Sequence, residues 1–409
     1  MSARLAWLRE LLAARFWVVP AACCTVAFAL GLLLPELDKR LGSEVPLLFS
    51  GGPGGARSLL SAITTSMISV TGLVFSITVV VLQLASSQFS PRILRTFLRS
   101  RITQLTLGVF LATFLYSIAV LRSVRGAEAS VDEFVPQLSV TGSFVLVLAS
   151  VGLFVAYIHH ITQAIRVSTV TTSVGSETRA LIERVRRDRE TRKRAGLPAG
   201  GPVSRLVRSP APGVLVHVDV AELTRLAHRH DVQMDLLVPV GTFAAEGMAL
   251  VAVHGPSEDL SSEQVCAALR LGQERTMEQD LAFGFRQLVD IAERALSPGV
   301  NDPTTAVQAL DEMHDLLRRL AGMPDPAAAV ADGAGAARLV LAEHRFADLL
   351  DLALREIVHY GADSERVLRH IRAILDDIAD AALGEHLPAI ASIRRRLAVA
   401  MSQGARGGS

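Results

Sequence analysis

Uncharged polar side chains recur at helical spacing along one charge-free stretch of this sequence. No acidic or basic residue occurs between Ser58 and Ser90; Arg57 precedes the stretch and Arg92 follows it. On a helix turning about 100° per residue, Ser58, Thr65, Ser69, Ser76, Gln83 and Ser87 fall within about 20° of one line, with Ser61 and Gly72 beside it. Leu, Ile, Val, Met and Phe fill most of the remainder. Hydroxyl and amide oxygens in such a row can solvate a passing ion without burying a charge. The same small residues also let membrane helices approach closely, and Gly72 and Ser76 make a small-xxx-small pair suited to that. Pore lining and helix packing are both open, and an oligomer can combine them.

A basic segment follows. Phe89-Ser-Pro-Arg92 reads as a break and a restart, with Ser90 as N-cap and Pro91 at the first helical position. Ile93, Leu94, Phe97 and Leu98 then form an apolar side, and Arg92, Arg95 and Arg99 a basic stripe. Such a helix suits an anionic lipid surface. It also suits the inner mouth of a pore, where it would favour anions.

The third set is Asn301, Asp302, Thr304 and Thr305, within Ala295-Leu-Ser-Pro-Gly-Val-Asn-Asp-Pro-Thr-Thr-Ala306. Pro298 and Gly299 stop one helix. Asp302 can N-cap the next, with Pro303 in its first position. The composition fits a tight helix-helix corner. The functional alternatives are an anion on the helix N-terminus, or a cation held by Asn301, Asp302 and Asp290. His159-His160, at the close of an apolar run, and His228-Arg-His230-Asp231 are weaker candidates for ligation or pH sensing. An interfacial pair and a solvated helix end are the simpler readings.

The elements that position these groups follow from composition. Half of the 409 residues are hydrophobic and a fifth are charged, which describes a membrane protein with a sizeable water-soluble part. Net charge is near zero, so no nucleic-acid partner is expected. Cys23 and Cys24 are adjacent and Cys266 is remote, which gives neither a disulfide framework nor a metal signature. Apolar runs predict spans at Phe16–Leu34, Ser58–Ser90, Ile102–Leu121 and Ser139–Ile158. The first reads as an uncleaved anchor, because Pro35-Glu-Leu-Asp-Lys is a poor cleavage site. Arginines gather before span one, between spans two and three, and after span four. Both termini are therefore expected in the cytoplasm. Membrane lipids, small ions and further copies of the chain are the expected partners.

Residues 1–160 are thus expected to form a four-helix membrane domain, and 161–196 a helical stalk. Residues 213–256 read as a small β-rich module, with strands from Val214, Val232 and Met248 and turns at Gly241 and Gly247. Ser261 to Leu296 reads as one helix, Met323 to Gly335 as a crossing loop, and 261–402 as a helical domain. The fold class is membrane α-helical with a cytoplasmic α+β part. Pro239-Val-Gly-Thr-Phe-Ala-Ala-Glu-Gly-Met-Ala-Leu250 resembles the hairpin of barrel-sandwich modules found in biotinyl and lipoyl domains. No lysine lies near it, so no carried cofactor is expected.

Two long motifs have a further likeness. Phe75-Ser-Ile-Thr-Val-Val-Val-Leu-Gln-Leu-Ala-Ser-Ser-Gln-Phe-Ser-Pro-Arg92 and the Arg294–Ala306 motif resemble a bacterial family of predicted integral membrane proteins classed as a domain of unknown function. The resemblance spans nearly the whole chain. It implies a bacterial inner-membrane location and no particular activity. Without a P-loop, a Ser/His/Asp order or paired catalytic carboxylates, no enzyme activity is expected. The residues favour a homo-oligomeric channel or pore for small ions. A membrane-anchored regulator whose cytoplasmic half binds a ligand or partner is the alternative.

Overall fold

A computed structural model describes residues 17–41, 49–88, 101–126, 133–164, 166–191, 194–196, 201–256, 258–327 and 329–407. The chain divides into two compact units, 1–166 and 167–409.

The first unit contains α1 (Val18–Leu41), α2 (Pro53–Gln88), α3 (Arg101–Leu121) and α4 (Gln137–Ala164). All four are long and apolar enough to cross a membrane. Pro35 does not end α1, which runs on to Leu41. His159 and His160 do not close α4, which continues past them to Ala164. The central helix is α3: 61% of its apolar window is buried, against 17–22% for the other three. Small residues let its neighbours come close. A Cβ on Gly31 would stand 2.7 Å from the Ala119 methyl, and one on Gly108 would stand 3.1 Å from Cys23 Sγ. Helices α1 and α3 therefore approach backbone to backbone, which increases the dispersion contact between them.

One end of this bundle is tied by hydrogen bonds. Asp38, near the end of α1, accepts from the backbone N–H groups of Leu138 and Ser139 (3.0 Å each) and from the Ser139 hydroxyl (2.6 Å). Its carboxylate thus satisfies open donors in the first turn of α4. Phe49 N–H donates to Thr141 Oγ1 at 3.0 Å, and Arg57 donates to the Val124 carbonyl at 3.3 Å.

The second unit opens with α5 (Val167–Thr191), β1 (Arg194–Ala195), β2 (Val203–Arg208), β3 (Gly213–Val218), α6 (Val220–Arg229) and β4 (Gln233–Leu236). It continues with β5 (Phe243–Ala244), β6 (Ala249–His254), α7 (Ser262–Ala267), β7 (Leu269–Gly272), α8 (Leu281–Leu296) and α9 (Pro303–Ala321). Strands β8 (Ala329–Ala331) and β9 (Ala337–Val340) and helices α10 (Phe346–Tyr360), α11 (Glu365–Ala381) and α12 (Leu387–Gly407) complete it. One sheet runs β1-β8-β9-β4-β6-β2 and the other β5-β3-β7. Leu215, Met234, Leu250, Val251, Val253 and Leu339 share their core.

Four expectations change here. The β part does not stop at 213–256, because β1, β2, β8 and β9 join its larger sheet, with β9 parallel to β4. Ser261–Leu296 is not one helix: Ala268 ends α7, and Leu269 and Leu271 lie on β7, paired with Val218 and Leu215. The segment 323–335 is no bare loop, since it carries β8. The 161–196 stalk is not continuous, since α4 ends at Ala164 and α5 starts at Val167. In the first three cases, pairing with a distant strand outweighs the local helical or loop signal. The turns at Gly241 and Gly247 do occur, with φ of 94° and 77°, backbone that favours glycine.

Candidate functional site

The polar row of α2 lies on the side turned away from the rest of its unit. Ala56, Leu60, Ile63, Met67, Val74 and Val81 are buried and recur at intervals of three, four and seven residues, as one helix face requires. Thr65, Ser69, Gly72, Ser76 and Gln83 are all exposed. Ser87 belongs to α2, but its side chain lies outside the described residues, and Arg92, Arg95 and Arg99 lie wholly outside them. The Ser69 hydroxyl donates to the Thr65 carbonyl at 3.0 Å, one turn back on its own helix. Packing among the described residues therefore does not account for the row.

The inward polar groups form a different line, which the sequence reading did not separate. Thr71 and Thr78 sit one heptad apart and half-buried. Thr78 Oγ1 lies 2.7 Å from the buried Tyr157 hydroxyl, and Thr113 Oγ1 lies 3.1 Å from Ser150 Oγ. Tyr116 donates to the Ser139 carbonyl at 3.1 Å. These contacts join helices internally, so every polar row in this unit is not equivalent. The distinguishing signal is the row's phase relative to Leu60, Met67, Val74 and Val81.

In the second unit, the corner motif folds as its residue types require. Asn301 adopts φ 47°, and Asp302 caps α9, with Pro303 in its first position. Asp302 accepts from the N–H groups of Thr304 (3.0 Å) and Thr305 (3.2 Å) and from the Thr305 hydroxyl (2.6 Å). The Thr305 hydroxyl, followed by the backbone donors, holds the Asp302 carboxyl below its ordinary range. Arg366 donates to Thr304 Oγ1 at 3.1 Å. Asp290 bonds to Arg286 at 2.6 Å. Among the described residues no three His, Cys, Asp or Glu side chains are grouped to hold a metal ion. His228 and Arg229 form the last turn of α6, with His230 as its C-cap, as a solvated helix end requires; the largely exposed His228 also places Nδ1 2.9 Å from Asp332 Oδ2, bracing the β8–β9 turn.

Beside the corner, the Arg286 guanidinium serves three carboxylates: Asp290 at 2.6 Å, Glu356 at 2.5 Å and Glu293 at 3.0 Å. Three negative charges around one positive charge favour retaining a proton. Burial, aided by a hydrogen bond to Glu356, pushes the Glu293 carboxyl up to about 7. The same bond holds Glu356 below its ordinary value.

A partly open cavity of about 300 Å³ lies elsewhere in this unit. Its apolar wall includes Leu181 and Val185 of α5, Val218, Leu236, Val240 and Leu281. Its polar rim includes Arg184, Asp188, Arg189, Glu278, Glu343 and His344. Asp280, only 1% exposed in its side chain, accepts from Arg275 at 2.8 and 3.0 Å and caps α8 through the Phe283 N–H. Gly241 packs on that pair: a Cβ there would stand 2.0 Å from Asp280 Oδ2. Arg189 bonds Glu343 through both Nε (3.2 Å) and Nη2 (2.9 Å). No local motif announces this cavity, because its walls come from segments about 160 residues apart.

Comparison with known proteins gives a family and no chemistry. The family described as "Predicted membrane protein (DUF2254)" matches residues 13–377. An uncharacterized protein of Mycobacterium bovis and one of Mycobacterium tuberculosis are each 33% identical to this chain over 373 residues. The match covers 89% of this chain and 71% of theirs. No solved structure matches. With a match over most of its length, and four helices of membrane-crossing length, the chain belongs to this DUF2254 family of predicted membrane proteins.

Proposed function

We propose that the chain is a subunit of a homo-oligomeric pore for small ions in a bacterial inner membrane. Copies of α2 meet through the row Thr65, Ser69, Gly72, Ser76 and Gln83. Both termini are cytoplasmic, and the second unit serves assembly or gating. The observation that carries this reading is the exposure of every described member of the row, on the face opposite the buried seam of Leu60, Met67, Val74 and Val81. Hydroxyls and an amide gain nothing from facing hydrocarbon, and meet partners only in another helix or in water. Arg92, Arg95 and Arg99, which follow the row in the sequence, bias the path toward anions. No enzymatic role is proposed.

The test is thiol accessibility in intact membranes. Cys23, Cys24 and Cys266 are replaced, and single cysteines are placed at Thr65, Ser69, Leu73, Ser76, Val80 and Gln83. A small charged reagent is expected to modify the Thr65, Ser69, Ser76 and Gln83 positions and to spare Leu73 and Val80. Protection along the whole row, together with disulfide cross-linking between copies there, would make it a dry seam and remove the conduction reading.

A further inference from the structure

The rim of the 300 Å³ cavity has a specific residual charge. Four acidic residues line it: Asp188, Glu278, Asp280 and Glu343. Three have cationic partners. Glu278 pairs with Arg270 and stands 3.0 Å from His217 Nδ1, Asp280 pairs with Arg275, and Glu343 pairs with Arg189. Two opposite charges are left. Among the described residues, the Arg184 guanidinium and the Asp188 carboxylate make no ion pair or side-chain hydrogen bond, and His344 likewise has none. Arg184 and Asp188 stand one turn apart on α5, with Cβ atoms about 5–6 Å apart by helix geometry. The order is cation before anion, the weaker arrangement for a pair four residues apart on a helix. They remain apart, one of each sign, over an apolar wall.

We infer that this cavity binds a small zwitterion with an apolar body, of the class of a free α-amino acid with an aliphatic or aromatic side chain. A space of about 300 Å³ is at the small end of small-molecule sites, the size that admits a free amino acid. The ligand carboxylate meets Arg184, with His344 as a further donor. Its ammonium meets Asp188. Its side chain lies against Leu181, Val185, Val218 and Leu236. A single-charge amphiphile would leave one rim charge without a partner and gains only half of this complement. A solvated helix face alone would also leave Arg184 and Asp188 unpaired, so the experiment must separate the two cases.

The full chain in lipid nanodiscs is titrated calorimetrically with L-leucine, L-methionine and L-phenylalanine. The single-charge analogues 3-phenylpropionate and 2-phenylethylamine are titrated alongside. The expected result is saturable binding of at least one amino acid, about tenfold tighter than either analogue. Arg184→Gln should weaken that amino acid about tenfold and leave 2-phenylethylamine unchanged, whereas Asp188→Asn should do the same with 3-phenylpropionate unchanged. Both residues are exposed, and an unaltered melting midpoint without ligand shows that the variants are folded. No saturation by any of the three amino acids at about 10 mM overturns the assignment. So does equal binding of zwitterion and analogues, or amino-acid binding indifferent to both substitutions.

Discussion

Asp38 and Ser139 lie about a hundred residues apart and are joined twice. The Asp38 carboxylate accepts from both the backbone N–H (3.0 Å) and the hydroxyl (2.6 Å) of Ser139. With the added donor from Leu138 N–H, a carboxylate on the first helix completes the N-terminus of the fourth. The contact links helix order to stability. It requires the end of α1 and the start of α4 to lie on the same side of the bundle, as alternating spans do.

Asp38→Ala is expected to lower stability by about 1–3 kcal/mol, because three donors lose a charged acceptor. Asp38→Asn, which keeps one acceptor oxygen, should lose about half as much. Melting midpoints of the full chain in one detergent check both. Equal midpoints for wild type and Asp38→Ala would mean that water replaces the carboxylate at no cost.

At the helix corner, Asp302→Ala should cost about 1–2 kcal/mol through loss of the α9 cap. The Asp302 carboxyl is held low by the Thr305 hydroxyl and then by the backbone donors. A lowered carboxylate adds stability above its unfolded value, and that stability is lost as pH falls through the folded one. The gap between wild type and Asp302→Ala should therefore shrink in acid. Denaturant midpoints measured at neutral pH and near pH 3 test the sign.

Glu293 should act in the opposite direction. Its carboxyl is raised from 4.5 to about 7 by burial and its bond to Glu356. The folded state holds a proton that the unfolded chain releases. The contribution is present in full below about 4.5 and is lost as pH rises through about 7. Between those values the wild type should lose stability on the order of 1–2 kcal/mol. Glu293→Gln keeps a donor toward Glu356 and cannot ionise, so it should flatten that slope. A parallel decline in wild type and variant would assign the titration to other groups. Arg286 and Asp290 on α8 and Glu356 on α10 are the charged groups that face Glu293.

The local signals in the sequence translated well. Four uninterrupted apolar runs became four long helices, since the hydrophobic length needed to cross a bilayer is a property of one segment. Pro298, Gly299, Asp302 and Pro303 produced the corner they predict, because capping acts within a few residues. Gly241 and Gly247 took the left-handed backbone that only glycine adopts freely.

The sequence alone determined which segments are helices of membrane length, where the tightest turns fall, and that a polar row runs along the second helix. The tertiary structure decided which way that row faces, because the answer depends on which neighbour packs against Leu60, Met67, Val74 and Val81. It also decided that Leu269 and Leu271 join a strand, and that β9 runs parallel to β4. Strands of two to six residues carry little period of their own, and their pairing is fixed by partners as much as about 135 residues away. The cavity bounded by Arg184 and Asp188 belongs to the same class. Its walls converge from α5, the sheets and the start of α8, and only folding brings them together.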